Sequence, residues 1–349
     1  MRAVTIHAPN DLRIDDVSAP EPGSPEFGPR DVKVRIGVGG ICGSDLHYFQ
    51  HGGFGAVRIR EPMILGHEIS GTVAAIGTEV SRVKVGDRIA VNPSVPCWGC
   101  VYCLEGKPNH CLDMRFYGSA MRFPHVQGAF REVLVAREEQ CFVVPQSVDL
   151  TTAAFAEPLS VCLHAVKRAG PMIGKKVLVT GTGPIGALAV AAARRAGAQD
   201  IVATDVMDEP LEAAKKVGAD QVINVAKSPE RLKAYAANKG TFDIQIEASG
   251  NDRAIMAGLN TLRPGGILVQ LGIGGDVALP ISMIVAREIE IRGSFRFHEE
   301  FAWAVEFLSR GLIDTAPLLT EVISIDRAQQ AFELAGDRTR AMKVQLSFE

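Results

Sequence analysis

The pattern of apolar and polar positions changes near residue 150. Before that point, short segments alternate between apolar and polar residues and are interrupted by proline and glycine, as at 3–6, 12–17 and 32–38. Alternation with a period of two is typical of strands that bury one face. The first 150 residues are therefore predicted to form a β-rich domain.

Beyond residue 150, helical patterns alternate with short apolar strands. Such an alternation is typical of a parallel sheet whose strands are joined by crossover helices. The strands are expected at 177–180, 201–204, 221–225, 242–247 and 267–271.

The C-terminal segment is expected to leave this sheet. A helix at 299–309, a helix at 326–335 and a strand at 342–348 would return the chain to the first domain. The predicted organisation is a β-rich domain over 1–150, a parallel α/β domain over 151–289 and a return over 290–349.

A glycine-rich turn lies between the first predicted parallel strand and an alanine-rich helix. Gly181, Gly183 and Gly186 have the G-x-G-x-x-G spacing, with Pro184 and Ile185 inside it. The first glycine allows a tight turn, the second a close approach of a pyrophosphate, and the third close packing of helix and strand. The helix N-terminus then presents free N–H groups to the phosphates. These five residues are the predicted dinucleotide-binding loop, and an ordinary strand-to-helix turn is the alternative.

Asp205 ends the next predicted strand, about 20 residues beyond the glycines, where a partner for a ribose 2′-hydroxyl is expected. A carboxylate accepts hydrogen bonds from that hydroxyl but repels a 2′-phosphate. The following residues, 206–209, contain no arginine. NAD is therefore the predicted cofactor, with NADP as a tolerated alternative.

Composition narrows the classes of protein to consider. A chain of 349 residues suits two domains, and a net charge of −3 without a basic cluster argues against a nucleic-acid surface. No apolar run reaches the roughly 18 residues of a membrane span, and strand-like residues at the start indicate no signal peptide. Most of the cysteines fall in metal-ligand patterns, which favours a reducing cytoplasm over a disulfide framework.

Four cysteines crowd the segment 93–115 with the spacing C-x₂-C-x₂-C-x₇-C. Four thiolates on one short lobe are typical of a closed, structural zinc site. The ligands are predicted to be Cys97, Cys100, Cys103 and Cys111. Cys141 and Cys162 lie among apolar residues and are expected in the core.

A catalytic zinc needs three protein ligands and one open position. Cys42, in a glycine-rich segment read as a loop, and His67, at the mouth of a strand, are the first two candidates. Glu157 is preferred as the third, because it precedes a proline at the joint between the two halves. Glu68 competes with it, either as an alternating ligand or as a carboxylate that contacts the ligands without binding the metal. The alternative for Glu157 is an acid that only complements the dipole of a helix.

In their order along the chain, these features resemble the zinc-containing medium-chain dehydrogenases. The resemblance covers essentially the whole sequence and rests on the segments 42–47 and 66–68, the four-cysteine lobe, 157–158 and the glycine loop. Glu157 stands where the alcohol dehydrogenases have cysteine. In this respect the sequence resembles the polyol branch of the family, which includes sorbitol, threonine and idonate dehydrogenases. Finer similarity to the idonate dehydrogenases lies in 92–94, 113–121, 123–126 and 293–297.

The resemblance implies an α/β fold, with a doubly wound Rossmann sheet and a GroES-like β-rich catalytic domain. It implies one catalytic and one structural zinc, hydride transfer to NAD and a homodimer or homotetramer. Ser44 and His47 match relay positions for the departing proton in alcohol dehydrogenases, whereas a zinc-bound water and a glutamate serve instead in the polyol branch. Glu68 is included among the catalytic candidates. The expected reaction is oxidation of L-idonate to 5-keto-D-gluconate, with sorbitol, xylitol or L-threonine as alternative substrates.

A sugar-acid substrate carries a carboxylate, so a cation is expected beyond the zinc. Arg115 and Arg296 lie in the idonate-like segments and are assigned to the substrate pocket together with Tyr48, since arginine binds carboxylates bidentately. Arg122 and His125 are further candidates.

A non-catalytic NAD- and zinc-binding protein on the same fold is the rival from another class. In such a protein at least one metal ligand or relay residue is expected to be replaced. This sequence keeps the candidate ligands, the relay residues and the glycine loop, namely Cys42, His67, Glu68, Glu157, Ser44 and 181–186. Metal analysis separates the two, because the enzyme is expected to hold both zinc ions.

Overall fold

A computed structural model describes residues 1–19, 21 and 27–349. Its N-terminal part is β-rich. The main sheet has the order β12-β8-β7-β3-β20-β19, with β11 also paired to β3; β19 and β20 run parallel and the other pairs are antiparallel. A three-stranded sheet, β2-β1-β6, and the pairs β4–β5 and β9–β10 accompany it.

The strands of this part are β1 (Arg2–Ala8), β2 (Asp11–Asp16), β3 (Asp31–Gly40), β4 (Gly53–Phe54), β5 (Val57–Arg58), β6 (Met63–Ile64), β7 (Glu68–Ile76), β8 (Arg88–Val91), β9 (Ser94–Val95), β10 (Arg115–Phe116), β11 (Val133–Arg137), β12 (Cys141–Val144), β19 (Leu319–Ser324) and β20 (Lys343–Ser347). Its helices are α1 (Gly43–His51), α2 (Val101–Leu104), α3 (Leu150–Ala153), α10 (Glu300–Ser309) and α11 (Ala328–Gly336).

The middle of the chain forms a six-stranded parallel sheet in the order β15-β14-β13-β16-β17-β18. Numbered from β13, this is the order 3-2-1-4-5-6, in which a dinucleotide binds where the strand order reverses. The strands are β13 (Lys176–Thr180), β14 (Asp200–Asp205), β15 (Gln221–Asn224), β16 (Phe242–Glu247), β17 (Leu262–Gln270) and β18 (Glu290–Gly293). The helices are α4 (Ala156–Ala169), α5 (Pro184–Arg195), α6 (Asp208–Lys216), α7 (Pro229–Lys233), α8 (Asp252–Thr261) and α9 (Ile281–Ala286).

The predicted fold class is confirmed, and two local expectations change. The segment read as a loop around Cys42 instead enters helix α1, which is followed by Gly52 in the left-handed region (φ 68°). Strand β18 still belongs to the parallel sheet, so that sheet extends past the predicted limit of 289. The remaining domain limits stay predictions.

Three clusters of buried apolar residues hold these layers together. One lies around the β-rich sheet, one on the face of the parallel sheet that carries α4 and α5, and one on its opposite face. Cys141 and Cys162 are buried in them, as expected. Among the described residues, no helix has both the length and the apolar character that a bilayer span requires.

Candidate active site and cofactor pocket

Three side chains that could hold a metal ion converge at the end of β3. Cys42 precedes helix α1, while His67 and Glu68 lie at the start of β7, which pairs with β3 so that Gly40 faces Glu68. One ligand atom from each of the three side chains lies within 4.8 Å of the others. His67 and Glu68 are buried and Cys42 is half-buried. The pairing of two adjacent strands therefore brings together residues that are separated along the chain.

The chemistry of these donors fits a zinc ion. Burial and the neighbouring Glu68 carboxylate raise the pKa of the Cys42 thiol to about 12. Such a thiol keeps its proton unless a cation replaces it, and a coordinated metal deprotonates it outright. Within the described chain, Oε1 of Glu68 is buried without a hydrogen-bond partner. A thiolate, an imidazole and a carboxylate form a set that zinc prefers.

Glu157 faces the same cluster from the first turn of α4. It is buried, and burial raises its pKa to about 8, with the charges of Glu68 and Cys42 adding to the rise and His67 opposing it. It lies outside the group whose ligand atoms are within 4.8 Å of one another. The preference for Glu157 over Glu68 as the third ligand stays a prediction.

Asp45 is a further residue beside the candidate metal ligands, and sequence reasoning missed it. It is fully buried and accepts hydrogen bonds from the backbone N–H of Cys42 at 3.0 Å and of Gly66 at 3.1 Å. Its Oδ1 lies 3.8 Å from Nδ1 of His67. One carboxylate thus holds the backbone of both segments that carry the candidate ligands Cys42 and His67. Carboxylates in such positions orient a ligating histidine. The available signal was an acid three residues after the residue preceding the helix, as in a capping box.

Lys343, from strand β20, is the second missed residue. Its ammonium group forms an ion pair with Glu68 and donates a hydrogen bond to the carbonyl of Ile41 at 2.9 Å. Burial lowers the pKa of Lys343, but Glu68 and Cys42 raise it by more. The pair supplies a positive charge to a cluster of acidic groups. Nothing in the sequence around Lys343 indicates this contact.

The predicted relay residues lie on α1. Ser44 is half-buried and His47 is exposed, and partial burial together with His51 lowers the pKa of His47. The ring of His47 lies 5.9 Å from that of Phe54. Their role as a proton relay stays a prediction.

The ring of Phe116 lies between Arg296 and the metal-binding cluster, which consists of Cys42, His67 and Glu68. Its guanidinium carbon is 4.6 Å from the ring centre of Phe116 and 4.9 Å from that of Phe295. The Phe116 ring is in turn 5.5 Å from the ring of His67. Burial lowers the pKa of Arg296, opposed by Glu157 and Tyr48. Arg296 and Phe116 line a cavity of about 520 Å³.

Tyr48 and Arg115 are placed differently. Tyr48 is buried on α1 and its hydroxyl accepts a hydrogen bond from the N–H of Ala120 at 3.0 Å. Arg115 is exposed on β10, next to buried Phe116. Because consecutive strand residues point to opposite faces, Arg115 faces away from the Phe116 side. Its substrate role stays a prediction without support from these contacts.

The two further candidates have partners within the chain. Arg122 forms an ion pair with Asp113. His125 uses both ring nitrogens, because Nε2 lies 2.8 Å from the N–H of Arg60 and Nδ1 2.7 Å from the carbonyl of Arg122. Arg122 also lines the cavity that holds Arg296, and the substrate role of Arg122 and His125 stays a prediction.

The four predicted lobe cysteines also converge within 4.8 Å. Backbone N–H groups point at their sulfurs, from Cys97 to Cys111 at 3.2 Å and from Leu112 to Cys100 at 3.5 Å. The N–H groups of Leu112 and Cys103 lower the pKa of Cys100 to about 6. Such a set of thiolates fits a closed structural zinc.

The lobe packs against the segment that carries Arg296. The Asn109 side chain donates a hydrogen bond to the carbonyl of Phe295 at 3.1 Å, and the ring of His110 stacks on Phe295 at 6.1 Å. The position of Arg296 therefore depends on an ordered lobe.

The three glycines of the glycine loop differ in whether the fold leaves room for a side chain. Gly181 has φ +80°, and a Cβ there would lie 2.6 Å from Ser249, while a Cβ on Gly186 would lie 1.8 Å from the carbonyl oxygen of Gly181. At Gly183 a Cβ would meet nothing within 4 Å. The fold itself requires the first and third glycines, whereas the second leaves space above Pro184 and the start of α5, where a pyrophosphate would bind.

Asp205 lies at the end of β14 beside this loop. Its carboxylate accepts hydrogen bonds from the N–H groups of Thr182 at 2.8 Å, Val206 at 2.8 Å and Met207 at 3.2 Å. Arg338 also donates to it, a contact that sequence reasoning missed. The residues surround a cavity of about 470 Å³.

Comparisons with known proteins agree with this geometry. The family "Alcohol dehydrogenase GroES-like domain" matches residues 28–146, and "Zinc-binding dehydrogenase" matches residues 184–310. L-idonate 5-dehydrogenase (NAD(P)(+)) of Escherichia coli is 44% identical over 316 residues, which cover 90% of this chain and 91% of that protein. Sorbitol dehydrogenase of Bacillus subtilis is 37% identical over 339 residues, 96% of this chain and 93% of that one.

The crystal structure of E. coli L-idonate 5-dehydrogenase superposes with a TM-score of 0.93, at 39% identity, covering 99% of this chain and 97% of that one. The metal-binding cluster, the four-cysteine lobe and the dinucleotide pocket thus occur on a fold shared with zinc-binding dehydrogenases over nearly the whole length of the chain. The chain belongs to the zinc- and NAD(P)-dependent polyol dehydrogenases of the medium-chain dehydrogenase family.

Proposed function

We propose that this protein oxidises a secondary hydroxyl of a sugar acid, L-idonate to 5-keto-D-gluconate, and that Arg296 binds the substrate carboxylate. The observation that carries the proposal is the place of Arg296, with its guanidinium stacked on Phe116, which itself packs against His67. The 44% identity to an L-idonate 5-dehydrogenase supports the same substrate class.

The charge balance around Arg296 favours an anionic substrate. Among the described residues its guanidinium has aromatic neighbours and donates to the sulfur of Met121 at 3.3 Å, but it forms no ion pair. A half-buried cation without an anion is poorly compensated. A substrate carboxylate would complete its hydrogen bonding bidentately.

The chain's own residues would divide the remaining work. Cys42 and His67, with Glu68 or Glu157, hold the catalytic zinc, which when bound acts as a Lewis acid on the substrate hydroxyl. Asp45 fixes the two loops that carry these residues. Ser44 and His47 would carry the released proton from the buried cluster to the exposed face of α1. The glycine loop and Asp205 orient the dinucleotide so that its nicotinamide ring meets the substrate.

Steady-state kinetics on Arg296→Ala and Arg296→Lys tests the anchor. A hydrogen bond to a charged group contributes about 1.5–3 kcal/mol, so kcat/KM for L-idonate is expected to fall about tenfold to a hundredfold in Arg296→Ala. Turnover of sorbitol, which has no carboxylate, is expected to change little. Arg60→Ala serves as a matched control, since Arg60 also stacks on a phenylalanine, Phe123, at 4.4 Å. An equal loss for L-idonate and sorbitol would refute the anchor.

A neutral polyol is the second candidate, supported by the 37% identity to a sorbitol dehydrogenase. It predicts higher kcat/KM for sorbitol or xylitol than for L-idonate in the unmodified protein. The metal site and the cofactor pocket would then serve the same chemistry, and Arg296 would have a different role.

We also propose a homodimer or homotetramer in the cytoplasm. Strand β18 is an edge of the parallel sheet, and apolar side chains near it are exposed, namely Ile273, Ile281, Val285 and Ile291. Pairing of two such edges would cover them. Light scattering on the purified protein and on Ile291→Lys tests this, because the charged variant is expected to shift the protein towards monomer.

A further inference from the structure

The carboxylate predicted to bind the adenosine ribose has an arginine beside it. Nη2 of Arg338 lies 3.1 Å from Oδ2 and 3.4 Å from Oδ1 of Asp205. Arg338 follows helix α11, in the β-rich part of the protein, and is 133 residues from Asp205 along the chain. Residues 206–209 contain no arginine, but Arg338 supplies a positive charge at this site from a distant part of the chain.

Asp205 does not need Arg338 for its own burial. The carboxylate is only 3% exposed, but the N–H groups of Thr182, Val206 and Met207 already satisfy both of its oxygens. The Arg338 side chain is 53% exposed. If the guanidinium leaves, the three backbone N–H groups remain, so both carboxylate oxygens keep hydrogen-bond partners. The guanidinium is thus free to change partners without breaking the fold.

The position of the guanidinium suits a group attached to the ribose 2′-oxygen. A ribose 2′-hydroxyl that donates to Asp205 would lie next to Arg338, so a phosphate on that oxygen would be within reach of the guanidinium. Arg338, Asp205 and Arg253 line the same cavity. The acid that follows in the chain, Asp208, is paired with Lys227 and with Asn224 at 2.7 Å. Arginine binds phosphate through two parallel hydrogen bonds.

We propose that Arg338 is the residue that admits an adenosine 2′-phosphate, so that this pocket accepts NADP as well as NAD and Arg338 sets the ratio of the two. With NAD, Arg338 stays on Asp205. With NADP, the guanidinium moves to the phosphate and offsets the repulsion from the carboxylate. The proposal rests on the dinucleotide pocket and not on the sugar-acid substrate, so a wrong substrate assignment leaves it intact.

The two cofactors should respond differently to the loss of Arg338. NADP loses a charge-assisted contact, so its affinity is expected to fall about tenfold to a hundredfold in Arg338→Ala. NAD loses no contact, because its 2′-hydroxyl donates to Asp205 and no longer competes with Arg338 for that carboxylate. The affinity for NAD is therefore expected to stay the same or rise. Arg338→Lys keeps the charge but not the fork, so NADP affinity should fall less than in Arg338→Ala.

Isothermal titration calorimetry on the zinc-loaded protein tests this without any substrate. The ligands are NAD, NADP and 2′,5′-ADP, and Arg340→Ala is the matched control, which removes an exposed arginine two residues further on. We expect Arg338→Ala alone to weaken NADP and 2′,5′-ADP, and rising salt to weaken NADP more steeply than NAD only while Arg338 is present. An equal loss for NAD and NADP would show a structural ion pair and overturn the proposal. Unchanged NADP affinity, or no binding of 2′,5′-ADP to the unmodified protein, would overturn it as well.

Discussion

Replacing Asp45 with asparagine should weaken zinc binding at one site and leave the other unchanged. The buried carboxylate accepts hydrogen bonds from Cys42 at 3.0 Å and from Gly66 at 3.1 Å, and it lies 3.8 Å from His67. Asparagine has nearly the same shape but only one acceptor oxygen. Its NH₂ group must then face one of the two backbone N–H donors.

The size of the effect follows from these contacts. A buried donor without a partner costs about 1–3 kcal/mol, and the charge beside His67 is lost in addition. Changes to groups that orient metal ligands typically reduce metal affinity about tenfold to a hundredfold. We therefore expect Asp45→Asn to weaken the catalytic zinc by that factor. The four-cysteine lobe has none of these contacts and should keep its zinc.

Chelator titration followed by atomic emission measures both sites in one experiment. The unmodified protein and Asp45→Asn are loaded with zinc, equilibrated with increasing chelator and assayed for retained metal. Asp31→Asn is the control, since Asp31 also caps a loop, through the N–H of Gly28 at 2.8 Å, but contacts neither cysteine group. Release of both zinc ions at the same chelator concentrations as in the unmodified protein would refute the role of Asp45.

Three further predictions concern cofactor, lobe and pH. Gly183→Ala should keep its thermal midpoint while NAD affinity falls at least about tenfold by calorimetry, whereas Gly186→Ala should lower the midpoint, because only the latter Cβ meets the chain. Cys100→Ser should lose the lobe zinc and raise KM for the sugar acid, since the lobe supports the segment with Arg296; unchanged KM with that zinc lost would contradict this. Burial raises the pKa of Glu300, but His164 and a backbone N–H outweigh it and lower it to about 2. Glu300→Gln should therefore reduce the free energy of unfolding by about 1–3 kcal/mol near neutral pH, and denaturant titrations should show this difference vanishing as pH falls from the usual carboxyl pKa of 4.5 towards 2.

Features carried by neighbouring residues could be predicted from the sequence. The glycine loop and the four-cysteine lobe depend on spacing within a few residues, and the alternation of helices and strands indicated the parallel sheet. Helix α1 was missed because Gly39, Gly40 and Gly43 suggest a loop. Its N-terminus is stabilised instead by Asp45, whose carboxylate accepts the N–H of Cys42.

The contacts that complete the two sites join distant parts of the chain. Lys343 reaches Glu68 because β20 pairs with β3 beside β7, and Arg338 reaches Asp205 because α11 ends next to the parallel sheet. No local pattern encodes either pair, since each depends on how the two parts of the protein pack. The residues directly after Asp205 contain no arginine, but the fold brings Arg338 to the same carboxylate.

The most direct test of zinc-dependent oxidation of a sugar acid is NADH formation by the purified protein with L-idonate, D-gluconate, sorbitol, xylitol and L-threonine, each with and without chelator. We predict turnover highest on L-idonate, abolished by chelator, in a preparation that holds two zinc ions per chain. Turnover that survives complete removal of zinc, or a preparation with only the lobe zinc that is inactive on every substrate, would contradict the account.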